Sequence, residues 1–215
     1  MSKIINVVIA DDHFLVREGV KKIVAEESID IKVVQEATNA AELLKILSEN
    51  LPDIVILDIT MPGRSGLNVL KDIKGLYPKL PVLILSMHPV DRYAVRVIKA
   101  GAAGYLTKSG VSDELIKAIR VIVNQKKQYI SQNVAEQLAQ QLNVKGDLPL
   151  HESLSDREFE VLCMIANGKR ISTIAEELSL SVPTVHTYRA RVKEKMNMKS
   201  NVEIARYAIK NSLID

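Results

Sequence analysis

The residues best placed to do chemistry in this chain are Asp11, Asp12, Asp58, Ser86 and Lys108, each of which follows closely on an apolar run. The runs cover residues 4–10, 54–57, 82–85 and 105–106. Three converging carboxylates repel one another unless a cation sits among them. Oxygen ligands, few in number, suit Mg²⁺, which keeps several waters and often bridges to phosphate. Beside such an ion Asp58 can act as a nucleophile toward a phosphoryl group and form an acyl phosphate. The metal and Lys108 would neutralise the equatorial oxygens during transfer, and Ser86 would hydrogen-bond a phosphoryl oxygen once it arrives. Taken singly, each residue has a plainer reading: adjacent acids are common in solvated turns, a lysine at a strand end is ordinary, and Ser86 could cap a helix. Their convergence carries the argument.

Convergence needs a scaffold. The apolar runs are short and rich in β-branched residues, and Ile54-Val55-Ile56-Leu57 is apolar enough to be buried on both faces. Helical patterns over 14–26, 40–49, 66–76, 91–100 and 113–124 alternate with strands at 4–10, 31–36, 54–57, 82–85 and 105–106. Strand–helix alternation of this kind gives βαβ units and a mostly parallel sheet. The expected fold is a flavodoxin-like, doubly wound, five-stranded α/β domain. Its strands share one carboxyl edge, where ligands bind, and the five residues above fall on that edge. Pro52 and Pro81 begin strands, where a missing N–H is tolerated. Residues 61–63 and 101–104 read as turns beside the site.

From about residue 125 the pattern changes. Residues 126–152 are polar and contain breakers, which reads as a linker with a short helix at 134–142. From Ser153 onward the periodicity is helical only. Ser155 with Glu158 forms a capping box that opens the first helix, which stops near Asn167-Gly168. Residues 171–178 form a second helix, 179–181 a tight turn, and Ser181 caps a third with Pro183 in its first turn. Residues 201–210 form the fourth. The expected organisation is an α/β domain over 1–125, a linker over 126–152, and an all-α, four-helix helix-turn-helix domain over 153–215.

The whole chain carries a net charge of only +3, so placement matters more than total. On the third helix Arg189, Arg191, Lys193, Lys195 and Lys199 stand against the single acid Glu194. Val185, Tyr188, Val192 and Met196 share one face at 100° per residue, leaving His186, Thr187, Ala190, Arg191 and Lys193 pointing away. A helix of this kind after a tight turn can enter a major groove, its N-terminal half on base edges and its cations on phosphates.

A hydrophobic content of 47% excludes global disorder. The single cysteine, Cys163, excludes an intrachain disulfide and a cysteine-based zinc site, and its apolar helical surroundings make it a core residue. The opening residues MSKIINVVIADD end their short apolar run in two acids, unlike a secretory leader. No apolar stretch approaches the length that spans a bilayer. A soluble, cytoplasmic protein without membrane association is expected.

Three stretches carry a specific resemblance: Val7-Val8-Ile9-Ala10-Asp11-Asp12-His13, Ile54 through Gly63, and Lys99 through Lys108. They resemble the receiver domain of bacterial two-component response regulators over about 120 residues. The resemblance implies Asp58 as phosphoacceptor and Asp11, Asp12 and Asp58 as Mg²⁺ ligands, joined by the backbone carbonyl of Thr60. It also implies Ser86 as the switch hydroxyl, Tyr105 as the aromatic that turns inward with it, and Lys108 as the phosphoryl-binding lysine. Many receivers follow that lysine with a cis proline; here Ser109 follows, and a cis bond to a non-proline residue costs about 3–4 kcal/mol.

The second half is similar to the LuxR-type effector domain. The matching stretches are Leu154 to Leu162, Ile174 to Leu178, and Ser181 to Met196 with Thr184-Val185-His186-Thr187 at its heart. A receiver joined to such a domain is the NarL/FixJ class, and Val185 to Arg191 is closer to its GacA/UvrY branch. The expected DNA contacts are Thr184, His186, Thr187, Ala190, Arg191, Lys193 and Lys195. Family members often carry lysine at position 186 and histidine at 188, and Ala190 allows only apolar contact, so the operator cannot be borrowed from relatives. In this family the last helix pairs two effector domains, for which Ile204, Ala205 and Ala208 are suitably small or apolar.

The sequence therefore implies a phosphorylation-gated DNA-binding regulator, not an enzyme. Its partners would be a sensor histidine kinase, double-stranded DNA and, when phosphorylated, a second copy of itself. An aspartyl-phosphate phosphatase of the haloacid dehalogenase type would need a second Asp two residues after Asp58, where Thr60 stands. A constitutive DNA-binding protein would not need the intact acidic set.

Overall fold

The computed structural model describes residues 4–59, 61, 66–86, 90–108, 111–130, 135, 149–211 and 213–214, with the side chains of 90–93 and 111–113 outside it. The chain divides into two compact units, Met1–Gln137 and Leu138–Asp215.

The first unit alternates β1 (Ile5–Ala10), α1 (Phe14–Glu27), β2 (Ile31–Ala37), α2 (Ala40–Glu49), β3 (Ile54–Asp58), α3 (Gly66–Leu76), β4 (Val82–Ser86), α4 (Val90–Lys99), β5 (Gly104–Thr107) and α5 (Val111–Gln125). The five strands form one parallel sheet in the order β2-β1-β3-β4-β5. Val7, Ile9, Ile54, Ile56, Leu83 and Leu85 join Val20 and Val24 of α1 and Leu115, Ile119 and Ile122 of α5 in one core. Val8, Val55, Leu57 and Ile84, of opposite parity, are also buried, so the sheet is covered on both faces. Helix α2 shows how this is built. Asn39 caps it by accepting from the Glu42 N–H, and Leu43 and Leu47, one turn apart, are both buried. Burying each leucine contributes about 1.5–3 kcal/mol.

Strand order reverses between β1 and β3, so the crevice at the carboxyl edge opens between these two strands. Strands β3 and β4 run one residue further than the apolar pattern, making Asp58 and Ser86 their last residues.

Gly104, read from sequence as part of a turn, is instead the first residue of β5; only Gly101 takes a positive φ there, at 97°. A Cβ on Gly104 would lie 2.8 Å from the Tyr129 carbonyl oxygen, an approach that only glycine permits. That contact belongs to a small extension of the sheet edge. The Tyr129 N–H donates to Ala103 O at 2.8 Å and Gln128 Nε2 to Ala102 O at 3.2 Å. Outside the described residues lie the turn at Pro62-Gly63, the helix at 134–142 apart from Ala135, and the Lys108–Ser109 bond.

In the second unit a 3-10 turn at Leu150–Ser153 precedes α6 (Asp156–Ala166), α7 (Ile171–Glu177), α8 (Val182–Lys195) and α9 (Asn201–Lys210). The capping box is present: Ser155 accepts from the Glu158 N–H and Glu158 accepts from the Ser155 N–H. Helix α6 ends at Gly168, whose φ is 75°. The turn between α7 and α8 passes through Ser179 at φ 52° and is closed by the Leu180 N–H donating to Ala175 O at 2.7 Å. Ser181 then caps α8, with Pro in its first turn. Helix α6 packs on α8 and α9 through Phe159, Leu162, Val185, Val192, Ile204 and Ala208, all buried. Cys163 is buried as well. Among the described residues no helix is long and apolar enough to cross a membrane.

Candidate functional site

The carboxyl edge of the sheet brings Asp11, Asp12, Asp58 and Lys108 together. Asp11 leaves the end of β1, and its N–H is held by Ala37 O of β2 at 3.1 Å. Lys108 follows β5, yet its Nζ reaches back to Asp58 Oδ2 at 2.9 Å and Asp11 Oδ2 at 2.7 Å. The side chains of Lys108, Asp11 and Asp58 are 4%, 2% and 0% exposed, so their charges meet in a nearly dry site. One ammonium faces more carboxylate than it can neutralise. Asp11 Oδ2 and Asp12 Oδ1 are buried and receive no hydrogen bond. Lys108 Nζ and His13 Nδ1 lie beside them, at 2.7 and 3.0 Å, without the alignment of one. Ligand atoms of Asp11, Asp12, His13 and Asp58 all fall within 4.8 Å of one another. Buried carboxylate oxygens at this spacing, close to cationic groups but without hydrogen bonds, fit a small cation.

Ser86 is fully buried at the end of β4, one residue beyond Leu85, the register partner of Asp58. Tyr105 lies opposite Ile84 in β5, and at 1% exposure its ring is turned into the protein. Thr60 lies outside the described residues.

Sequence reasoning missed three contributors. His13 donates its backbone N–H to Asp11 Oδ1 at 2.8 Å and places its ring at the mouth of the acidic cluster; its signal was its position directly after the acids. Arg17 is buried, with Nη1 donating to the Asp11 carbonyl at 2.8 Å and Nε to Glu36 Oε2 at 3.0 Å. It shares a helix face with Val20 and Val24, and a charge on an apolar stripe was the signal. Lys21 also donates to Glu36, and together Lys21 and Arg17 hold that carboxyl below its ordinary range. Gly66, at the start of α3, was read only as helix. A Cβ there would strike the Asp58 carbonyl oxygen and lie 2.5 Å from Ile59 Cα, while its N–H donates to Ile59 O at 3.0 Å.

In the second unit α8 turns Val185, Val192 and Met196 inward, while Tyr188 is only half-buried. His186, Thr187, Ala190 and Arg191 form a continuous exposed face; Thr184 and Lys193 are half-buried at its margins. The Thr184 hydroxyl is hydrogen-bonded to that of Ser181 at 2.7 Å, and the Thr187 hydroxyl donates to Pro183 O at 3.1 Å, fixing both rotamers. Lys195 is different. Its Nζ donates to Glu158 Oε2 at 2.6 Å, and the Glu158 side chain is only 3% exposed. The same oxygen accepts from the Ser155 N–H at 2.7 Å. Burial pushes the Glu158 carboxyl up, but the bonds from Lys195 and the Ser155 backbone pull it further down, leaving it below its ordinary 4.5.

Residues 7–120 match the response regulator receiver domain family, and residues 152–208 match the luxR family of bacterial regulatory proteins. The response regulator GacA of Pseudomonas aeruginosa is 36% identical over 213 residues, 98% of each chain. The response regulator UvrY of Escherichia coli K12 is 36% identical over 210 residues, 97% of this chain and 95% of that one. The chain is a response regulator. It belongs to the class that joins a receiver to a LuxR-type DNA-binding domain, on the GacA/UvrY branch, and regulators of this class act in transcription within two-component systems. Among solved structures it is similar to RcsB of Salmonella typhimurium, with a TM-score of 0.70 and 25% identity over 97% of this chain and 98% of that one. It is also similar to RcsB of Salmonella enterica serovar Typhimurium bound to the rprA promoter in the presence of a phosphomimetic, with a TM-score of 0.66 and 27% identity over 95% and 98% of the two chains.

One expectation for this response regulator is corrected by its last helix. Ile204 and Ala208 face the effector core and are fully buried. The apolar residues that α9 leaves exposed are Val202 and Ile209, two turns apart, with Ala205 half-buried between them. The core of this small domain needs the 204/208 stripe, so any helix pairing must use the adjacent one.

Proposed function

We propose that this response regulator takes a phosphoryl group on Asp58 from a sensor histidine kinase in the cytoplasm, and that the phosphorylated form dimerises and binds double-stranded DNA. The observation that carries the reading is the Asp11–Asp12–Asp58–Lys108 constellation, in which buried carboxylate oxygens lack hydrogen bonds. Asp11, Asp12, Asp58 and the Thr60 carbonyl would hold Mg²⁺, which when bound supplies charge neutralisation between the attacking carboxylate and the phosphoryl oxygens. An Asp58 carboxylate oxygen forms the new bond to phosphorus as the donor's bond breaks. Lys108, now ion-paired with Asp11 and Asp58, stabilises the added negative charge. Ser86 hydrogen-bonds a phosphoryl oxygen, and Tyr105, already turned into the protein, is the aromatic partner of that switch. The role is stoichiometric transfer and signalling, not turnover of a substrate.

DNA is met by α8. Thr184, His186, Thr187 and Ala190 face base edges, while Arg191 and Lys193 face phosphates. Lys195 enters that set only by giving up Glu158. Two copies pair through the exposed face of α9, placing two recognition helices on two half-sites. The receiver covers residues 1–125, the linker 126–152 and the effector 153–215, with Gln128 and Tyr129 fastening the start of the linker to the receiver. The gating is tested by fluorescence anisotropy on operator DNA chosen by in vitro selection, with and without acetyl phosphate and Mg²⁺. Affinity and dimer fraction should rise together, and neither should change in Asp58→Asn. Equal affinity in both states of the wild type would contradict gating.

A further inference from the structure

A buried charge that serves only stability is a poor bargain, because desolvating it costs as much as its pairing returns. Arg17 is such a charge, its side chain 10% exposed; besides lying over the Phe14 ring at 5.8 Å, it makes polar side-chain contacts that lead to one place. It sits on the first turns of α1, where its N–H donates to His13 O at 3.2 Å. From there the side chain folds back six residues to the Asp11 carbonyl and sideways to Glu36 on β2. Glu36 is paired in register with Ile9, two residues before Asp11. Lys21 holds its other oxygen at 2.7 Å.

The Asp11 residue is thus gripped at both main-chain polar groups, its N–H by Ala37 O and its carbonyl by Arg17. With Asp11 Oδ1 taken by the His13 N–H, the orientation left to the turn buries Asp11 Oδ2, ion-paired with Lys108, and Asp12 Oδ1, neither of them hydrogen-bonded. We infer that Arg17 is a positioning residue for the cation: its guanidinium, anchored by Glu36, locks the Asp11–Asp12 turn so that both carboxylates face the ion. A guanidinium suits the place because its rigid planar fork holds separate N–H groups on a carbonyl and a carboxylate in one fixed geometry, which a flexible point-charge ammonium does not. This rests on the Mg²⁺ reading above.

The test is calorimetric titration of Mg²⁺ into the full chain as wild type, Arg17→Met, Arg17→Lys and Glu36→Gln, with thermal melts recorded without divalent ions. Loss of a group that orients a metal ligand costs about 10- to 100-fold in metal affinity. Arg17→Met should lie in that range. Arg17→Lys and Glu36→Gln should each lose roughly several-fold, because one arm of the clamp remains. Should Arg17→Met fail to fold, the two milder variants decide the matter. Lowered melting temperatures with Mg²⁺ affinity unchanged would make Arg17 a structural strut and overturn the inference. No saturable Mg²⁺ binding by the wild type would overturn the Mg²⁺ reading itself and this inference with it.

Discussion

The acidic pocket and helix α8 are both charge clusters, yet they are built in opposite ways. The pocket gathers Asp11, Asp58 and Lys108 from the carboxyl ends of three separate strands into a site almost closed to water. The exposed face of α8 takes its groups from one continuous helix and leaves most of them in solvent. In the pocket each charge has a fixed geometry set by the sheet, so one substitution removes the whole arrangement. On α8 the charges are screened and act nearly independently, so substitutions subtract one at a time. Lys195 is the informative exception. It lies on the helix with its side chain 40% exposed, yet its ammonium is paired with the buried Glu158.

The largest effect is expected at Lys108. Lys108→Met leaves buried carboxylates without their cation, a change that costs about 3–5 kcal/mol. Urea melts should show that loss in the absence of divalent ions and regain much of it in Mg²⁺, since a metal can replace the ammonium among the acids. A loss that Mg²⁺ does not reduce would break the view of the pocket as a single electrostatic unit. Next comes Gly66→Ala, whose Cβ meets the backbone at Asp58 and Ile59. Overpacking of this kind costs about 1–3 kcal/mol, and phosphoryl uptake should slow with it in a time course by intact mass.

Glu158 sharpens the exception. Its carboxyl is lowered in the folded state, so its contribution is present above 4.5 and is lost as pH falls through the lowered value. Glu158→Gln should therefore cost about 1.5–3 kcal/mol at neutral pH and flatten the acid limb of the stability curve. An acid limb identical to the wild type would mean the pair contributes nothing. The smallest effect belongs to the helix surface. Lys193→Met should weaken binding to a duplex of arbitrary sequence and reduce the salt slope by about one. Lys195→Met should leave that slope nearly unchanged while lowering the melting temperature, and an equal slope change in both would place Lys195 on phosphate.

The same contrast explains what was legible in the sequence. The sheet and its chemical edge could be read because Asp58 and Ser86 terminate apolar strands, a pattern local in sequence. The capping box at Ser155 and Glu158 could be read for the same reason. The second duty of Glu158 could not, because Lys195 arrives from 37 residues away. Gly104 reads as a turn because two glycines three positions apart resemble one; its need for glycine arises from Tyr129, a tertiary contact. Ile204 and Ala208 are expected at a partner because the family resemblance assigns pairing to the last helix, and small or apolar residues there do not say what covers them. Arg17 was passed over although its position on the Val20–Val24 face marked it as a charge that something buried must require.

The central claim is that the pocket accepts a phosphoryl group at Asp58. The most direct measurement is the intact mass of the full chain after incubation with acetyl phosphate and Mg²⁺, beside Asp58→Asn. One phosphoryl group on the wild type and none on the variant is the expected result. An adduct on both, or on neither when the chain is offered a phosphorylated histidine kinase as donor, would contradict it.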